Sequence, residues 1–380
     1  MEAYFDNAAT TAVFPEVKNL MIKLMEEDYG NPSSLHMKGV DAEKYIKTAT
    51  TQIAKELKCQ EKEIVFTSGG TEANNLAIIG GAMAHRRAGK HIITSEIEHA
   101  SVSATMDFLV KEGYEVSVIG VDSEGKLKLD ELKNTLRPDT ILVSVMYVNN
   151  EIGAIQPVEE IGKIVKEYNQ SILFHVDAVQ AFGKIKFTPK KFMADLVSIS
   201  GHKIHGPKGS GVLYIKDKTL IRPILYGGGQ QKAMRSGTEN VPAIAGMGLA
   251  AELMYKNHEA KMEHISNLKN SFIDKVTKLE NVFDNSGEAP HIASITFVGI
   301  RSEVMLHALE DKGIYVSSGS ACSSNKPHVS NVLKAIGLDS TKLESTLRFS
   351  FSEFNTMEQV DYAVQMIEEI LPVFRRYIRK

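Results

Sequence analysis

Short runs of apolar and β-branched residues recur along the first 250 or so positions, separated by segments whose apolar residues fall at helical spacing. The runs are Glu63-Ile64-Val65-Phe66, His91-Ile92-Ile93-Thr94, Tyr114 to Val118, Thr140 to Val145, Ile172 to Val176 and Leu196 to Ile199. Between two of them, Ile161, Ile164, Val165 and Tyr168 mark one face of a helix. Buried strands that alternate with helices make crossover units, so a mostly parallel sheet covered on both faces is expected. This predicts an α/β layer fold for the first part of the chain.

The pattern changes near residue 250. Ala250 to Leu279 has no glycine or proline and reads as one helix. Strand patterns follow at Ile292 to Phe297 and Thr346 to Phe351, and helical periodicity at Val304 to Lys312 and Met357 to Ile370. A smaller α+β unit is predicted there.

Composition narrows the class. With 43% hydrophobic and 24% charged residues the chain reads as globular rather than disordered. A net charge of -3 argues against a direct nucleic-acid surface, which would be basic. No apolar run approaches the roughly 20 residues that span a bilayer. The N-terminal stretch carries Glu2 and Asp6 and lacks the basic and apolar regions of a targeting peptide. Two cysteines, Cys59 and Cys322, are too few for a disulfide framework, and a cytoplasmic protein is the expectation.

Several predicted strands end in residues capable of chemistry, where ligands of parallel sheets bind. Ser68 to Asn75 joins a strand to a helix, whose free N–H groups suit a phosphate; an ordinary turn capped by Thr71 fits the pattern equally. Lys203, in Ser200-Gly201-His202-Lys203, lies just past a buried strand in a glycine-rich turn. It is either a surface charge or an amine whose setting makes it a Schiff-base former. His202 and His205 lack a nearby carboxylate or thiol at ligand spacing, so no metal site is expected. Asp177, at another strand end, is either a helix cap or a partner for a protonated ring nitrogen. His99 is either a polar loop residue or a ring stacked on a cofactor.

Taken in order, these motifs resemble those of the cysteine desulfurases of the fold-type I pyridoxal-phosphate superfamily. The similarity runs nearly end to end: Tyr4 to Thr11, Gly30 to Ser34, Gly70-Thr71-Glu72, Glu98-His99, Val148 to Gly153, His175 to Gln180, Ser200 to Lys203, Arg235 to Asn240, Ser318 to Ser323 and Leu347 to Ser350. The resemblance implies a large cofactor-binding domain over 14–255, and a small domain formed by 1–13 and 256–380. It implies pyridoxal 5'-phosphate held by Lys203, which also shuttles the Cα proton. Asp177 would meet the ring nitrogen, Asn150 and Gln180 the phenolic oxygen side, and His99 the ring face, where as a catalytic residue it would help with proton transfer. Gly70, Thr71, Ser200 and His202 would hold the phosphate. Thr238 would reach the neighbouring subunit's phosphate, which implies a homodimer. Arg348, with Asn150 nearby, would take the carboxylate of L-cysteine.

Cys322 sits among small polar residues in Ser317 to Asn325, whereas structural cysteines prefer apolar company. It is the expected nucleophile, accepting sulfur as a persulfide for a scaffold protein or a tRNA-thiolation enzyme. Composition predicts that its loop is mobile, and Cys59 reads as incidental. A selenocysteine lyase and a sulfur-relay scaffold without catalysis are the alternatives. Many members carry a glycine where this chain has Ser352 followed by Glu353; the position lies past the substrate arginine and leaves the activity expected.

Overall fold

The computed structural model describes residues 1–318 and 330–376. Twelve strands follow in chain order: β1 Ala3–Tyr4, β2 Ile64–Thr67, β3 His91–Ser95, β4 Glu115–Ile119, β5 Thr140–Met146, β6 Leu173–Asp177, β7 Leu196–Ser200, β8 Gly211–Ile215, β9 Val282–Asp284, β10 Ile292–Phe297, β11 Ile314–Tyr315 and β12 Thr346–Ser350. Seven of them form one sheet in the order β2-β8-β7-β6-β5-β3-β4. The pairs from β7 through β4 are parallel, while β8 runs antiparallel to both β2 and β7.

Period-two alternation sends side chains of one strand into two cores. Phe174 and Val176 of β6 join the core beneath helices Met37–Leu57 and Val241–Tyr255, whereas Leu173 joins the core beneath helix Gly70–His85. Val197 and Ile199 of β7 separate from Leu196 in the same way. The helix Gly70–His85 buries Ala73, Leu76, Ala77, Gly80 and Gly81, which is why it reads as apolar nearly all round.

Away from the large sheet, a separate core gathers Phe272, Phe297, Phe349 and Phe351, with Phe5, which follows β1, joining them. It lies under the antiparallel sheet β12-β10-β9 and helices His258–Val276 and Met357–Arg375. The single helix expected from 250 to 279 is instead two. Asn257 takes the left-handed conformation (φ 55°, ψ 34°) between Val241–Tyr255 and His258–Val276, and asparagine adopts that geometry more readily than other side chains. The chain turns there without the glycine or proline that marks most breaks.

The segment from Ala3 to Phe14 runs between the two cores. β1 pairs with β11, Ser350 N–H donates to the Phe5 carbonyl at 2.6 Å, and Ala8 N–H donates to Ser350 Oγ at 2.8 Å. Further on, Thr11 N–H and Phe14 N–H donate to the carbonyls of His202 and His205.

Candidate active site

The carboxyl ends of β5, β6 and β7 and the start of helix Gly70–His85 converge on a cavity of about 210 Å³. Gly70, Thr71, His99, Asn150, Asp177, Gln180, Ser200, His202, Lys203 and Arg348 all line it. Of the residues singled out from sequence, Thr238 is absent from that lining and exposed, in the loop before helix Val241–Tyr255. Cys322 and its loop lie outside the described residues.

Asp177 closes β6. Its Oδ1 accepts from Val179 N–H at 3.0 Å, and its Oδ2 accepts from Asn74 Nδ2 at 2.7 Å. It therefore anchors its own tight turn rather than capping a helix. Lys203 follows β7, and its Nζ donates to the Ala8 and Ala9 carbonyls at 2.6 and 2.7 Å. Gln180 Nε2 donates to the same Ala8 carbonyl at 2.9 Å.

At the start of helix Gly70–His85, the cap residue is Gly69, not Thr71, and no side chain caps the terminus. Gly69 has φ 154° and ψ −178°, a region only glycine visits freely. A Cβ on Gly70 would stand 2.8 Å from Val179 Cγ2, so glycine keeps this approach open. Ser200 Oγ lines the same cavity, buried and without a hydrogen-bond partner among the described residues. Burial, with Lys203 and Lys208 adding to it, pushes the His202 imidazole down to about 4, so the ring is neutral.

These features test the fit of pyridoxal phosphate. An uncapped helix terminus, a glycine that admits a close approach and an orphaned serine hydroxyl suit a phosphate. A carboxylate at the cavity wall suits a protonated ring nitrogen, and an amine in reach suits a carbonyl carbon. The residues present fit the group. No set of three or more His, Cys, Asp or Glu side chains able to hold a metal occurs among the described residues.

Arg348, on β12, is 4% exposed, and its guanidinium is held by Asp6 and the Asn150 carbonyl. Its Nε lacks a partner among the described residues. Beside the cavity, burial pushes the Glu98 carboxyl up to about 8, against the opposing bonds from Ser95 and Met146 N–H, and the charge of Asp177 adds to the rise. Burial also lowers the His99 imidazole, assisted by Lys203 and opposed by Asp177.

Sequence reasoning missed Asn74, Ser101 and Asp6. Asn74 follows Gly70 by one helical turn, which places both on one face, and that spacing could have found it. Asp6 carried no local signal, because its partner lies 342 residues away.

The aminotransferase class-V family model matches residues 3–363. The cysteine desulfurase IscS of Methanosarcina thermophila is 44% identical, over 98% of this chain and 92% of its own. The putative cysteine desulfurase IscS 1 of Bacillus subtilis (strain 168) is 42% identical, over 97% of this chain and 98% of its own. Among solved structures, a NifS-like protein superposes with a TM-score of 0.93 at 39% identity, covering 98% of this chain and 100% of that one. SspA in complex with cysteine superposes at 0.82 with 33% identity, covering 93% of this chain and 100% of that one. A relative this similar over nearly its whole length fixes the family: the chain belongs to the class-V aminotransferases and, among them, to the cysteine desulfurases.

Proposed function

We propose that this protein binds pyridoxal 5'-phosphate in the cavity, removes sulfur from L-cysteine to leave L-alanine, and carries the sulfur as a persulfide on Cys322. The observation that carries the reading is the convergence of Lys203, Asp177, His99 and Arg348 on one cavity that also contains an uncapped helix terminus.

When bound, the cofactor supplies an electron sink for the charge that develops on the substrate carbon. Asp177, held in orientation by Asn74 and Val179 N–H, would meet the ring nitrogen. Gly70, Thr71, Ser200 and His202, which line the cavity, would hold the phosphate, and Asn150 and Gln180 would serve the phenolic oxygen side. Arg348 takes the substrate carboxylate with the N–H donors that Asp6 and Asn150 leave over. The Lys203 amine receives the Cα proton. The Cys322 thiolate attacks the substrate sulfur; a sulfur–sulfur bond forms as the carbon–sulfur bond breaks, and the carbon takes up a proton to become alanine.

A homodimer is supported by large apolar side chains left exposed on two neighbouring loops. Tyr29 (69%) and Leu35 (100%) lie on one, just before Met37 (67%) at the start of helix Met37–Leu57, and Leu220 (69%) and Tyr226 (76%) on the other. The segments continuing from these loops meet at a shared cavity lined by Pro32, Ser33 and Gly228 to Lys232. Thr238, exposed nearby in sequence, is the residue that completes the neighbour's phosphate site. A division into a large domain over 14–255 and a small one from 1–13 and 256–380 is supported by the separate core around Phe272 and Phe349, while Ala289 and the cluster of Ile97 and Ile152 with Val332 and Leu333 tie the two together. Among the described residues no helix is long and apolar enough to cross a membrane, and we assign the protein to the cytoplasm. Its acceptor is a scaffold for iron–sulfur clusters or a tRNA-thiolation enzyme.

The test is borohydride treatment of the purified yellow protein followed by peptide mass analysis. The colour should bleach and the peptide containing Lys203 should gain the reduced cofactor. Labelling of another lysine would overturn the assignment.

A further inference from the structure

His99 precedes helix Ala100–Lys111 and caps it with its own ring: Nδ1 accepts from Ser101 N–H at 3.1 Å. A backbone N–H can only donate, so Nδ1 must present a lone pair there. Ser101 Oγ stands 2.9 Å from the same nitrogen. That hydroxyl in turn accepts from Asn74 Nδ2 at 2.9 Å, so its hydrogen is left to point at His99. Asn74 is fully buried, and its Nδ2 also donates to Asp177 Oδ2 at 2.7 Å. The amide orientation is therefore fixed: flipped, its oxygen would face a carboxylate.

We propose that Asn74 and Ser101 are positioning residues that lock His99 in the neutral tautomer with the proton on Nε2, so that the ring offers the cofactor and substrate a hydrogen-bond donor. This deepens the reading above and rests on it only for what the ring faces. A neutral imidazole held in this way acts as an electrophile rather than a base, which leaves proton abstraction to Lys203. Protonating His99 would place a hydrogen on Nδ1 against Ser101 N–H and break the helix cap. The groups that act on the ring from neighbouring elements are Asp177 on β6, which favours protonation, and Lys203 after β7, which opposes it together with burial. Asn74 draws the Asp177 carboxylate into the same network, so orientation at the ring nitrogen and at the ring face is set by one amide.

Nitrogen-15 NMR of the purified holoprotein labelled on histidine tests this, with the His99 signals assigned by difference against H99Q. In the wild type, Nε2 should be protonated and Nδ1 bare across neutral pH. Ser101→Ala removes one donor and Asn74→Ala releases the hydroxyl; the backbone N–H of residue 101 remains in both, so Nε2 should stay protonated while the protonation midpoint of His99 rises by about half a unit to one unit. Ser101→Thr keeps the hydroxyl and should restore the wild-type spectrum. A proton on Nδ1 in the wild type overturns the proposal, and so does an unchanged protonation midpoint in Ser101→Ala. Ser101→Ala and Ser101→Thr decide the matter even if Asn74→Ala fails to fold. The readout is taken without cysteine, so the tautomer and the desulfurase reading can fail separately.

Discussion

Arg348 Nη2 donates to Asp6 Oδ1 at 2.8 Å, joining β12 to the N-terminal segment, while Nη1 reaches the Asn150 carbonyl at 2.8 Å. The guanidinium is fixed before substrate arrives, and a fixed fork matches a carboxylate better than a point charge does. Arg348→Lys should lower kcat/KM for cysteine by about a hundredfold, equivalent to about 2.7 kcal/mol. Asp6→Asn should lower it less, because the arginine remains but loses one tether. Steady-state alanine release decides this, and an Arg348→Lys enzyme within threefold of wild type would remove Arg348 from substrate binding.

The two cysteines should behave oppositely. Burial, with Glu63 nearby, pushes the Cys59 thiol up to about 12, so it is unreactive at neutral pH. Cys59→Ser should match wild type. Cys322→Ser should still bind cysteine but yield no persulfide and almost no alanine. Mass analysis after incubation with cysteine would reverse the assignment if the added sulfur sat on the peptide containing Cys59.

Glu98 should make stability depend on pH. Its folded carboxyl titrates near 8 against an ordinary value of 4.5, so the folded state holds the proton more tightly than the unfolded chain does. That contribution is complete below the unfolded value and is lost as pH rises through the folded one. Relative to Glu98→Gln, the wild type should lose about 2 kcal/mol of unfolding free energy between about pH 6 and pH 8. Parallel urea curves for the two proteins would refute a neutral Glu98.

Thr238 should act across a subunit boundary. Thr238→Ala should weaken cofactor retention, and co-expressed heterodimers of Thr238→Ala with Lys203→Ala should place the two lesions at one shared site or at two separate ones. Activity of about half the wild-type dimer's would place both lesions at one site, as action across the boundary requires, whereas activity well below half would mean that Thr238 serves its own subunit's cavity. A fully active monomer by sedimentation would remove the claim altogether.

The strand ends that bear Asp177 and Ser200 were legible because short, largely apolar runs stop there at polar residues. β8 was not. Gly211 to Ile215 returns antiparallel after a connection that holds only the single 3-10 turn Gly201–Lys203, with no long helix to announce a further strand. Position 257 hid the helix break because asparagine takes the left-handed turn without a glycine. Within the site, residues whose role depends on a neighbour in the motif were readable, while Asp6 depends on a partner 342 residues away. Such pairings exist only in three dimensions, and periodicity carries no trace of them.

The path of Ala3 to Phe14 has a consequence for biosynthesis. Asn7 Nδ2 bonds the Ser350 carbonyl at 2.9 Å, across 343 positions, and Ala8 and Ala9 supply the carbonyls that hold Lys203. On the ribosome these early residues emerge long before their C-terminal partners and must stay undocked while the large sheet forms. Contacts so distant in sequence close late, since the entropy of loop closure is met before they stabilise anything. Lys203 therefore gains its carbonyl clamp only after the strand that bears Ser350 has emerged, and a nascent chain that stalls earlier holds a folded sheet with an unfinished cavity.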